Sequence, residues 1–324
     1  MDRDDAVRST NDDALVCKLS AATTGYLADP FVSVLLKRLP HRVAPIMHRG
    51  TYVRTAALDA LVARFMGVAA AAGRRSQVVS LGAGSDTRFL LLKEGRRNPG
   101  LYVEIDFPQI TSKKAMALAR GRTTKPLLGD FQVGAGGAEI IAQDYWLLAG
   151  DLRNFASEIL PRLVRMGLQP SEPTLFLSEC VMIYLDPTVS DAIVAAAASE
   201  FSAPFFVTYE QILPDDAFGR VMISNLKARN IELPGIFAHP TLHSQVERYM
   251  SAGFTVARAI DINEVWDKHI SLEEKARLAR LEIFDEVEEW VLLSRHYCIS
   301  WTAKVSDGSG LSQELALRGW LSSD

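Results

Sequence analysis

Cysteine is scarce in this 324-residue chain: Cys17, Cys180 and Cys298 stand far apart, odd in number and in no CxxC spacing. That excludes a disulfide framework and a zinc site and suits reduced, intracellular thiols. A long hydrophobic run is also missing, since the most apolar helical stretch, Leu58 to Ala72, carries Asp59 and Arg64 and is too short to cross a bilayer. The opening MDRDDAVRSTNDD has no apolar core, so no secretory signal is expected. Positive charge gathers nowhere: the net charge is −4 with Lys and Arg dispersed, which leaves no footprint for nucleic acid or an anionic membrane. A cytoplasmic monomer is expected, with neither nucleic acid nor membrane as partner. What is present is an ordinary globular composition, 48% hydrophobic and 23% charged, enough for one large α/β core.

Along the chain, residues 1–13 are expected to be disordered. A helical region at 14–75 follows, carrying CKLSAATTGYLADPF and HRGTYVRTAALDALVARFM, with Pro40 and Pro45 breaking it between. Five apolar runs come next: QVVSLGAG, LYVEIDF, DYWLLAGDLR, TLFLSECVMIYL and FFVTYEQIL. Most end in polar or acidic residues, as parallel strands do when they deliver functional side chains at their carboxyl ends. Helical patterns such as FPQITSKKAMALAR and DAIVAAAASEF are long enough to be crossovers. The chain closes with FTVARAIDI, an acidic amphipathic helix EKARLARLEIFDEVEEWVLLSRHY, and CISWTAKV. In that helix Leu281, Phe284, Val287 and Val291 form a ridge expected to lie on the sheet. A doubly wound seven-stranded α/β sheet whose last strand is antiparallel resembles the class I methyltransferase fold rather than a dehydrogenase. The predicted domain spans 14–307, with a helical insertion or lid at 214–252 and a C-terminal tail at 308–324.

The segment VVSLGAGSDTR breaks from a strand into a glycine turn, and a dinucleotide site would want a third glycine where Thr87 stands. S-adenosylmethionine has no pyrophosphate. Its site needs the turn for close approach and acids for the ribose hydroxyls and the ammonium. Gly82 and Gly84 supply the turn, and Asp106, roughly 20 residues on, is placed to take the ribose diol. Other chemistries lack their residues: there is no Ser/His/Asp set and no GxSxG. His239 and His243 have the spacing of a metal pair, but Pro240 marks a helix start and no third ligand is evident, so no metal is expected.

LGAGSDTR, YVEIDFP, GDLR, SECVMIYL, the N-terminal CK, RG-x-x-x-R and LEIFDEVEEW with HYC together resemble the leucine carboxyl methyltransferases, over about Leu15 to Lys304. Those enzymes esterify the C-terminal leucine of the type 2A protein phosphatase catalytic subunit with S-adenosyl-L-methionine. A larger relative in the tRNA wybutosine pathway adds a β-propeller, for which this chain has no room. The resemblance implies that Lys18 and Arg54 lie near the methionine end of the cofactor, Arg54 pairing with its carboxylate. It implies Gly82 in the turn, Asp106 on the ribose, Asp151 and Leu152 on the adenine, and Glu179 near the amino-acid end. Tyr184 falls beside the methyl-transfer point.

Each residue also has a plainer reading. Arg54 on its helix resembles a surface ion-pair partner, Lys18 is more ordinary still, and Tyr184 and Tyr209 suit core aromatics with satisfied hydroxyls. Asp86 and Arg88 could bond only the turn. Glu179 closes an apolar strand, so a cation or ligand is expected beside it. An α-carboxyl group with a pKa near about 3.5 is ionised at neutral pH and needs no general base, so no acid–base catalyst is assigned, and Arg54 and Tyr184 are orienting candidates. A small-molecule O-methyltransferase and a non-catalytic, cofactor-binding phosphatase regulator are the competing functions; an NAD dehydrogenase is opposed by Thr87 and the closing strands.

Overall fold

The computed structural model describes residues 3–304, so the tail predicted at 308–324 lies outside the described residues. Nine strands form one sheet: β1 (Gln77–Leu81), β2 (Leu101–Asp106), β3 (Phe131–Gly134), β4 (Glu139–Ala142), β5 (Tyr145–Ala149), β6 (Thr174–Glu179), β7 (Pro204–Gln211), β8 (Val256–Asp261) and β9 (Tyr297–Ala303). Their order is β3-β4-β5-β2-β1-β6-β7-β9-β8. The seven predicted strands are all there, and β9 runs antiparallel between β7 and β8. This is the class I methyltransferase fold. The edge hairpin β3–β4 is additional, pairing antiparallel with β5. Its strands are four residues long, too short to show an alternation in sequence.

β1 is buried on both faces because successive side chains point to opposite sides of the sheet. Val78 faces one layer, with Phe65, Phe89 and Tyr102, while Val79 and Leu81 face the other, with Phe155 and Phe176. Helices Pro108–Arg120 and Pro187–Glu200 make crossovers on these faces, each with proline in its first turn, where the missing N–H costs nothing. β2 lies to one side of β1 and β6 to the other, so the chain reverses winding at β1, and the crevice beyond the carboxyl ends of these strands is the expected place for a ligand.

Two expectations need correction. Residues 3–13, expected to be disordered, form the first half of the helix Arg3–Thr24, in which Ala6 is fully buried against Ile183, Ile231 and Ile236. The polar stretch is ordered by tertiary packing, which outweighs its weak periodicity. The predicted helix EKARLARLEIFDEVEEWVLLSRHY is two helices, Leu272–Ala279 and Val287–Arg295. In the break Leu281 packs on the open face of Gly25, and the Phe284 ring lies 3.1 Å from the Arg49 guanidinium carbon. Leu281, Phe284 and Val291 of the predicted ridge do pack against the core, with added contacts to the N-terminal helices, whereas Val287 is half exposed. Within the 214–252 insertion the predicted helices appear at Ala217–Ala228 and Leu242–Ser251.

Candidate functional site

Strand register assembles the site. Leu81 pairs with Ile105 on one side and Ser178 on the other, so the next residues, Gly82, Asp106 and Glu179, leave the sheet at one level. Gly82 and Gly84 have φ of +64° and +51°, the left-handed region that glycine enters without strain. A Cβ on Gly82 would stand 2.5 Å from Val181 Cγ2, so any larger residue fills the gap between the ends of β1 and β6. Gly84 N donates to Asp106 Oδ2 at 2.7 Å, and Phe107 N donates to Oδ1 at 2.7 Å. Burial pushes the Asp106 pKa up, and these two N–H groups pull it part of the way back. Each of its oxygens keeps a second lone pair for a ligand hydroxyl.

Thr87, where a third glycine is missing, is 1% exposed and works as a junction: its hydroxyl accepts from Lys18 Nζ at 2.6 Å and donates to Asp29. Lys18 also lies 3.2 Å from Asp29 and 3.5 Å from Asp86. It therefore ties the N-terminal helix to the glycine turn. Burial opposes its charge, and Asp86 with Asp29 outweighs that and raises its pKa. Arg88 binds Asp59 and Asp86, each at 2.6 Å, and lies 3.8 Å from Glu179. Burial would raise the pKa of Asp86, but Arg88 and Lys18 hold it well below the usual carboxylate range.

Glu179 has the cationic neighbour its position demands, since Arg54 Nε donates to its Oε1. Burial disfavours the Arg54 charge, and Glu179 more than restores it. The guanidinium also lies 4.8 Å from the centre of the Tyr209 ring, which stacks on Tyr297. At the other end, Asp151 accepts from Arg153 N at 2.9 Å, and Arg153 bridges to Asp4 at 2.7 Å. Leu152 is buried beside them. The Phe107 ring has Arg8 at 5.5 Å and Arg153 at 6.0 Å.

All the sequence candidates, Lys18, Arg54, Gly82, Asp106, Asp151, Leu152, Glu179 and Tyr184, line one cleft of about 600 Å³. Asp4, Arg8 and Asn11 also line the cleft, on a helix whose polar sequence predicts disorder. Phe107 lines it too, with no signal in the sequence beyond its place after Asp106. His239 and His243 are not brought together by a metal site: His239 meets Asp191 at 3.1 Å, and His243 meets Glu247 at 3.1 Å. Among the described residues no cluster of three His, Cys, Asp or Glu could hold a metal ion. Nor, among the described residues, is any helix long and apolar enough to cross a membrane.

The residues present fit an adenosine joined to an amino acid. The Gly82 gap admits backbone-close approach, Asp106 offers paired acceptors to a diol, Leu152 and Phe107 offer apolar surface to a base, and Arg54 with Glu179 offers opposite charges to a zwitterion. The two cations at the turn, Lys18 and Arg88, are already paired with Asp29, Asp59 and Asp86.

Residues 6–198 match the profile of a family described as leucine carboxyl methyltransferase. The chain is 39% identical over 311 residues to the leucine carboxyl methyltransferase 1 homolog of Arabidopsis thaliana, covering 94% of this chain and 91% of the relative. It is 34% identical to leucine carboxyl methyltransferase 1 of Bos taurus, covering 96% and 93%. It is also 37% identical to tRNA wybutosine-synthesizing protein 4 of Homo sapiens, where the match covers 96% of this chain but only 45% of the relative.

Proposed function

We propose, from the premise that this chain belongs to the leucine carboxyl methyltransferase family, that it methylates the C-terminal leucine α-carboxylate of the type 2A protein phosphatase catalytic subunit. The product is a methyl ester. The observation that carries the choice of acceptor is that, among the described residues lining the cleft, no histidine, thiol or phenol offers a base for neutral pH. No histidine is among the described residues lining it. Burial pushes the Cys180 thiol up to about 12 and raises the Tyr184 and Tyr209 phenols above their ordinary range. An alcohol or phenol acceptor would have to be deprotonated; a carboxylate arrives ionised.

S-adenosylmethionine, when bound, supplies a methyl group already activated on a sulfonium. The protein's part is to hold and align. Asp106 binds the ribose hydroxyls, Asp151 and Leu152 border the adenine, and Arg54 with Glu179 takes the two charges of the amino-acid end. Gly82 lets the backbone approach. Tyr184 borders the acceptor and helps exclude water, which strengthens every charge interaction within the cleft. Radiolabelled methyl transfer to the purified phosphatase, with and without its last residue, tests the reading: label on the intact subunit alone is expected, and label on the truncated subunit refutes it.

A further inference from the structure

Behind the cleft lies a second group of polar side chains that the reaction as described does not use. The chain turns at Cys180 with φ of +55°, a left-handed conformation that a non-glycine residue holds only when its surroundings enforce it. The segment that follows, residues 181–184, has the cleft on one side, where Val181 closes over Gly82 and Tyr184 lines the wall. On its other side stands Glu210 of β7, 2% exposed. Its Oε1 accepts from Val181 N at 3.3 Å and from Met182 N at 3.1 Å. The helix Pro234–Ala238 presses on the same segment, with the Cβ position of Gly235 2.9 Å from Ile183 Cα.

Glu210 faces a cavity of about 10 Å³ that Gln211, Gln245 and Arg248 also line. Glu210 Oε2, Gln211 Oε1, Gln245 Oε1 and Arg248 Nη2 are buried there with no hydrogen-bond partner among the described residues. Arg248 Nε lies 2.8 Å from Asp191 Oδ1, an ion pair too misaligned to count as a hydrogen bond. A cavity of this size with several polar walls is the setting of one internal water, which would join Glu210 to Arg248.

We propose that Glu210 is a positioning residue for methyl transfer: bridged to Arg248 through a single internal water, it clamps residues 181–182 from behind and so fixes Val181 and Tyr184 at the cleft. This rests on reading the cleft as the transfer site. Burial raises the Glu210 carboxyl to about 7 against the pull of Arg248 and the loop N–H groups, so keeping a carboxylate here works against the fold. An apolar residue would be easier to bury, but it could not hold two N–H groups.

Two readouts test the clamp. In amide hydrogen exchange, Glu210→Ala is expected to speed exchange at Val181 and Met182 at least tenfold while leaving Leu177 in β6 unchanged, and Glu210→Gln, which keeps an acceptor oxygen, is expected to stay within threefold of wild type. In turnover, Glu210→Ala is expected to lower kcat at least tenfold with KM for S-adenosylmethionine within threefold, and Glu210→Gln to restore most of kcat. Unchanged exchange in Glu210→Ala overturns the proposal, even if the chain proves to have another activity. Equal losses in the Ala and Gln variants also overturn it, because the charge rather than the acceptor would then matter. A wild-type protein with no transferase activity, but with the loop exchanging as expected, would sink the functional reading and leave the clamp standing.

Discussion

Arg54 and Glu179, both expected at the amino-acid end of the cofactor, hydrogen-bond each other, Nε to Oε1, at the carboxyl end of β6. An ammonium beside Glu179 and a carboxylate beside Arg54 can share this pair without leaving either charge unmatched. Both side chains are partly buried and Glu179 keeps Arg88 at 3.8 Å, so removing one member costs the other its direct hydrogen-bonded partner. Arg54→Lys, which loses the guanidinium fork, and Glu179→Gln are each expected to weaken S-adenosylmethionine binding by about 1.5–3 kcal/mol. The double variant should lose less than the sum, since the two residues act as one unit. Isothermal titration of the three proteins measures this, and wild-type affinity in both single variants would remove the pair from the binding site.

The glycine turn makes a separate prediction. Asp106→Asn keeps the shape but gives up charge-assisted acceptance and one of the N–H bonds from Gly84 and Phe107. A loss of about 1–3 kcal/mol in cofactor affinity is expected. Gly82→Val should abolish binding, because its Cβ would meet Val181 at 2.5 Å and the residue would be strained at φ +64°. Calorimetry with both variants binding normally would place the cofactor elsewhere.

Much of this site was legible in the sequence because its residues sit at strand ends. A buried run such as VVSL or VEID announces itself, and register then puts Gly82, Asp106 and Glu179 at one level. Lys18 was found but not its work, since a lysine on a helix carries no sign of Thr87 and Asp29. The N-terminal roof was not legible. Asp4 is held there by Arg153 and the helix by the burial of Ala6, both long-range contacts, and Asn11 lies over Gly84. Glu210 in FFVTYEQIL reads as a strand residue, and only the packing of the Gly235 helix and Arg248 makes it a buried charge.

Glu210 also has a stability signature. Its carboxyl rises from 4.5 to about 7 on folding, so the folded protein keeps a proton that the unfolded chain gives up across that interval. The stabilisation is complete below about pH 4.5 and is lost as pH rises through 7. Above pH 7 the buried charge costs about 3 kcal/mol, net of what Arg248 and the loop N–H groups recover. Glu210→Gln should therefore gain in Tm relative to wild type as pH goes from 5 to 8. Thermal melts at both values check it, and a Gln variant whose relative Tm falls with pH contradicts the raised carboxyl.

The acceptor predicts a different pH dependence. A leucine α-carboxyl group with an unperturbed pKa near about 3.5 is ionised throughout pH 6–8, so the chemical step should be flat there. Glu210 titrates within that window, and the measurement belongs in Glu210→Gln, under single turnover with cofactor saturating. A tenfold rise with pH in that variant would point to a hydroxyl acceptor.

The phosphatase itself is expected to be read as a folded surface. A free C-terminal tail loses roughly 1–2 kcal/mol of backbone freedom for each residue it orders, with few side chains to offset it. Here the cleft is roofed by the helix Arg3–Thr24, which reaches the insertion through Arg229 to Asp13 and through Arg3 to Glu232 at 3.7 Å. These exposed ion pairs are individually weak, so a docked partner can replace them at small cost while the packing of Ala6 on Ile183 and Ile236 keeps the helix in place. A folded subunit can add contacts to that roof which a peptide lacks. kcat/KM is accordingly expected to be at least a hundredfold higher for the folded phosphatase than for its tail peptide, equivalent to about 2.7 kcal/mol or more of added transition-state binding. Amidating the terminal carboxylate should abolish turnover in either context. Equal kcat/KM values would show that the cleft reads the tail alone, and methylation of the amidated tail would show that the acceptor is not the terminal carboxylate.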